Sequence, residues 1–84
     1  MTSKEVYILN KSLFLVDLYI LEEEKEKIIQ HPKLGCINAK YNIASNAPYK
    51  LIITDDNLNG LIKYFKTKEE CAIWLTEKCL LDSQ

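Results

Sequence analysis

Ile37-Asn38-Ala39-Lys40-Tyr41-Asn42-Ile43 alternates apolar and polar residues, and this stretch decides the fold. Successive strand side chains point to opposite faces, so Ile37, Ala39, Tyr41 and Ile43 form a buried row and Asn38, Lys40 and Asn42 an exposed one. Two further apolar runs follow, Tyr49–Thr54 and Leu61–Phe65. Asn59-Gly60 lies between them, a pair suited to a hairpin because both residues tolerate positive φ. Thr67-Lys68-Glu69-Glu70 then has the spacing of a capping box and predicts a closing helix.

Toward the N-terminus, residues 4–20 admit two readings. In a hairpin, Glu5–Leu9 and Ser12–Ile20 flank Asn10-Lys11, and Phe14, Val16, Leu18 and Ile20 line one face. In a helix, Ser12 caps a segment running to Gln30. The apolar residues of Leu13–Leu21 would encircle the helix axis, and Val6, Ile8 and Val16 are β-branched, so the hairpin is preferred. Glu22–His31 is then expected as a short helix. Glu22, Glu23 and Glu24 would complement the positive end of its dipole, and Pro32 and Gly35 would end it. The expected fold is α+β in the order β-β-α-β-β-β-α. A small antiparallel sheet carries two helices packed on one face, in a single domain spanning residues 1–84.

The 84 residues are 48% hydrophobic, enough for one small core that buries roughly two-thirds of the chain's surface. Net charge is −1, and residues 1–34 carry five lysines against six acids while residues 35–84 carry six of each. No basic arm therefore steers the chain to nucleic acid or an anionic membrane. All eleven basic residues are lysine, which removes the bidentate fork that arginine offers to phosphates and carboxylates. Together with the many Asn and Ile residues, this suits an AT-rich genome. The apolar run Leu13–Leu21 contains Asp17 and is short of the ~20 residues that span a bilayer, and Glu5 beside Lys4 with no small-residue cleavage site after residues 1–11 leaves no signal peptide expected. Three cysteines fit no secreted disulfide framework, so a cytoplasmic location is expected, with no membrane partner.

No cofactor, metal or catalytic centre is expected. Asp55-Asp56-Asn57-Leu58-Asn59-Gly60 opens like a calcium-binding loop, but its twelfth position is Lys66 where a bidentate glutamate belongs. Cys71 and Cys79 lie eight residues apart on the expected helix, about 12 Å along its axis, too far to share one zinc. With Leu75 they form a core stripe instead. Cys36 and His31 flank the turn at Pro32–Gly35, yet they belong to no recognisable nucleophile motif. His31 reads as a favourable residue at a helix end.

Surplus apolar residues carry the functional expectation. On the second strand of the hairpin, Leu13, Leu15 and Tyr19 would face away from the core, and Trp74 would flank the last helix. These four residues predict a non-catalytic protein-binding module. Self-association through Leu13, Leu15 and Tyr19 as a homodimer is its simplest form. A short arginine-free chain would suit a phage or mobile-element accessory protein that inhibits or adapts a host protein. The alternative is a small nucleic-acid-binding domain using Lys40, Lys50 and Lys63 with Phe65 on an open sheet face.

Overall fold

The computed structural model describes residues 3–54 and 60–81. Helix α1 (Ser3–Glu24) leads into strands β1 (Glu26–His31), β2 (Gly35–Tyr41), β3 (Tyr49–Thr54) and β4 (Gly60–Phe65), and helix α2 (Lys68–Leu81) follows. The strands form one antiparallel sheet in the order β1-β2-β3-β4. Both helices pack on one face of it, as expected of an α+β domain. The element order is α-β-β-β-β-α, which overturns the expected hairpin over residues 4–20 and the expected helix over Glu22–His31.

Burial explains why residues 3–24 form a helix. Phe14, Leu18 and Leu21 recur at i, i+4 and i+7, and all three are buried against the sheet. Burying a side chain of this size contributes about 1.5–3 kcal/mol, several times the few tenths that Val or Ile costs in a helix. The surrounding apolar residues therefore do not prevent a helix; they only make its far side apolar.

Glu22, Glu23 and Glu24 occupy the last turn of α1, which contains no basic residue. They sit at the negative end of the dipole, opposite to expectation. Lys25 ends the helix in the left-handed region, at φ 71°. Its N–H donates to the Leu21 carbonyl at 2.7 Å and its ammonium to the Glu22 carbonyl at 2.8 Å. A lysine thus does the capping usually left to glycine. Pro32 and Gly35 serve a hairpin instead of a helix end. His31 pairs with Gly35 across a three-residue loop, and Gly35 takes φ 77°, where a side chain would be strained.

In β1 the alternation places Lys27, Ile29 and His31 inward and Glu26, Ile28 and Gln30 outward. Ile37, Ala39 and Tyr41 face the helices as expected, but β2 ends at Tyr41. Ile43 is exposed in a turn where the Asn42 side chain accepts the Ala44 N–H. From β3 and α2, Tyr49, Leu51, Ile53, Cys71, Ala72, Leu75 and Cys79 complete the core. The Asn59-Gly60 turn and the calcium-like loop from Asp55 fall in residues 55–59, outside the described residues, except for Gly60.

Thr67 caps α2 as expected. The Glu70 N–H donates to the Thr67 hydroxyl at 3.1 Å, one residue before α2 begins. Thr67→Ala is expected to lower stability by about 1 kcal/mol, read as a lower urea midpoint at unchanged slope.

Candidate interaction surfaces

The outer face of α1 is an apolar surface that no described element covers. Leu9 (50%), Leu13 (56%), Val16 (56%) and Ile20 (36%) remain exposed in a line down the helix, with Ile8 (54%) and Tyr19 (62%) along one flank. At about 100° per residue this line lies about 140° around the axis from the Phe14–Leu18–Leu21 stripe. Leu13 and Tyr19 are exposed as expected of interface residues, on a helix instead of a strand. Leu15 is half-buried and packs against the core, so it does not share a face with Leu13. Leu9, Val16 and Ile20 belong to the surface and were not expected there. Their 4-3-4 spacing is the seam pattern of a packed helix, but it was masked because the core-facing side is apolar too.

Trp74 is half-buried. Its ring meets Phe65 at 5.9 Å, with the Lys63 and Lys78 ammonium groups 6.0 and 5.4 Å from its centroid. It caps the edge of the core beside β4, away from the α1 seam. Lys63 and Phe65 therefore point to the helix side, contrary to the expected outer row of lysines and aromatic ring. Lys40 and Lys50 do face out, directly opposite one another, and Tyr64 stands next to Lys50 with the ammonium 5.7 Å from its ring. Glu26 completes that row and lies 3.8 Å from Lys40. The adjacent row is Ile28, Asn38, Ile52 and Ile62, and its first three members line an open groove across the sheet.

Net charge conceals how charge is arranged. The two helices carry eight acids and four lysines, whereas residues 25–67 carry seven lysines and three acids. The near-neutral total averages an acidic helix layer and a basic sheet segment. A count along the chain halves misses this because each half contains part of both.

A polar cluster joins the helix ends to the sheet. The Lys68 ammonium lies 2.8 Å from Glu22 and 3.7 Å from the centre of the Tyr19 ring. The Tyr49 hydroxyl donates to the same Glu22 carboxylate. The hydrogen bond from Lys68, then that from Tyr49, holds the Glu22 carboxyl below its ordinary range. Burial, then the Glu22 carboxylate, pushes the Tyr49 phenol well above its own. Each group satisfies the others, so the cluster fastens α1, β3 and α2 together.

His31, expected at a helix end, is buried at the end of β1. Its Nδ1 accepts N–H bonds from Lys33 and Leu34 at 3.0 and 2.9 Å, which places the ring hydrogen on Nε2, 2.9 Å from the Leu75 carbonyl. The ring stacks on Phe14 with centroids 5.5 Å apart, and Cys79 Sγ lies 3.3 Å from Nε2. Cys36 points to the opposite face, hydrogen-bonded with Gln30, so the turn does not bring it to His31. Burial pushes the Cys71 thiol up to about 12, which keeps it protonated and unreactive. None of the three cysteines is in a disulfide. Among the described residues no cluster of three or more His, Cys, Asp or Glu side chains could hold a metal, and no helix is long and apolar enough to cross a membrane.

Comparison with known proteins supplies no relative: no family model, curated protein or solved structure matches this chain.

Proposed function

We propose that the chain is a non-catalytic protein-binding module that works through the outer face of α1. The observation that supports this is the line Leu9, Leu13, Val16 and Ile20, exposed on a helix whose other face already builds the core. Single exposed leucines need no explanation, but a continuous apolar line of this length does. Trp74 is set into the edge of the core and does not extend this surface. An accessory protein of a phage or mobile element that inhibits or adapts a host protein fits the small size and the arginine-free composition.

The row Lys40, Lys50 and Tyr64 supports a second reading, a nucleic-acid-binding sheet face, because two cations and a stacking ring are adjacent there. Capture of partners from a host lysate, with and without nuclease, separates the two. Leu13→Glu with Val16→Glu is expected to abolish capture, while Lys40→Ala with Lys50→Ala leaves it intact and salt matters little. Capture that survives the α1 pair but is lost with nuclease, or with the lysine pair, would overturn the protein-binding reading in favour of nucleic acid.

A further inference from the structure

We infer that the free edge of β4 is a peptide-docking site, which takes an extended segment of another protein as a fifth, antiparallel strand with an acidic residue opposite Lys63. This surface is separate from the outer face of α1, and the inference does not rest on that reading. Strand β4 ends the sheet, and no described strand pairs with its outer side. Two backbone bonds fix which groups that side presents. The Tyr41 N–H donates to the Lys25 carbonyl, and the Asn42 N–H to the Pro48 carbonyl. Odd-numbered residues of β2 therefore bond toward β1 and even-numbered ones toward β3. The register continues unbroken into β4, whose odd-numbered residues bond toward β3. Ile62 and Tyr64 thus point their N–H and C=O groups away from the sheet. A strand supplies the matching row of donors and acceptors, whereas a helix has satisfied its own internally.

Side chains agree with the backbone. Leu61, Ile62 and Tyr64 are all exposed, Ile62 and Tyr64 on the open face and Leu61 toward the helices. Trp74 of α2 meets Phe65 but leaves Leu61 bare. Edges are normally protected by charge or by a covering element. That is true of β1, the other edge, which carries Glu26 and Lys27 and is tied to α1 by Lys27 and Asp17 at 3.8 Å. The one charge in β4 is Lys63, whose ammonium shares the Trp74 ring with that of Lys78. Among the described residues no carboxylate pairs with either lysine. Because its own N–H and C=O face β3, Lys63 would meet an added antiparallel strand at a non-hydrogen-bonded pair, where side chains come closest. It therefore disfavours a purely apolar strand and favours one with Asp or Glu at that position. A second copy of β4 supplies no such residue. Of its two longest antiparallel registers, one sets Lys63 against Lys63 and the other sets it against Leu61.

Hydrogen exchange with a synthetic peptide tests this. The probe Leu-Val-Glu-Val-Leu, with soluble flanks, places Glu opposite Lys63 and its two valines opposite Ile62 and Tyr64. At about 1 mM it is expected to slow exchange of the Ile62 and Tyr64 amides about twofold or more, and to leave the Lys63 amide, already bonded to β3, unchanged. Methylating both valine nitrogens removes the two donors that face β4 and should abolish the effect. Replacing the probe's Glu by Lys should weaken binding about threefold, and Lys63→Glu should reverse that preference. No slowing at Ile62 and Tyr64 overturns the proposal. Equal binding by the methylated probe overturns it too, because adhesion would then run through side chains alone, and this arm needs only the parent chain. Equal binding of the Glu and Lys probes overturns the acidic preference. Protection of the same two amides that grows with protein concentration and needs no probe would put a second copy on the edge, and overturns the proposal as well.

Discussion

His31→Ala is expected to lower stability by about 3 kcal/mol, a substantial part of the roughly 4–13 kcal/mol that a domain of 84 residues has. The imidazole does two things at once. It fills core space against Phe14, and it satisfies three backbone groups: the Lys33 and Leu34 N–H groups and the Leu75 carbonyl. Removing it leaves a cavity and takes the partner from the Leu75 carbonyl and from two part-buried N–H groups, the cavity and the lost hydrogen bonding each worth about 1–3 kcal/mol. His31→Phe separates the two contributions. It keeps a ring against Phe14 but restores none of the hydrogen bonds, so it should recover less than half of the loss. Urea unfolding of both variants measures this, and a parent-like midpoint for His31→Phe would show that the hydrogen bonds contribute nothing.

His31 also shows where sequence reasoning reached its limit. A histidine before Pro32 reads locally as the end of a helix. Its function depends on Leu75, more than forty residues away, and no local pattern reports that contact. Strand β2 was legible because it buries one face and leaves the other to solvent, so its period-two signal is clean; β3 and β4 were legible as apolar runs. Thr67 was legible because a cap acts within four residues. Lys63 and Phe65 were placed on the wrong face because β4 is an edge strand whose two faces carry similar residues, Leu61, Lys63 and Phe65 against Ile62 and Tyr64. One apolar row does not outweigh the other there, and register cannot be read from hydropathy. The outer row was therefore right in Lys40 and Lys50 and wrong in Lys63 and in its aromatic member, which is Tyr64.

The N-terminal segment misled for a related reason, and one substitution pair isolates it. A hairpin over residues 4–20 would put Phe14, Val16, Leu18 and Ile20 on one buried face. The helix splits them: Phe14 and Leu18 face the core, and Val16 and Ile20 face away. Leu18→Ala is therefore expected to cost about 3–4 kcal/mol, since Leu18 is fully buried and its removal leaves a cavity in the core cluster. Val16→Ala, two residues earlier, should cost about 0.5 kcal/mol or less at concentrations where the chain is monomeric, because it removes nothing from the core. Alanine even favours the helix slightly. Similar losses at both positions would restore the strand reading. A loss at Val16 that appears only as protein concentration rises would instead report the coupling of folding to association, because a species that binds only the native state stabilises it by mass action. The apolar residues that disguised α1 as a strand would then be the ones that hold two copies together.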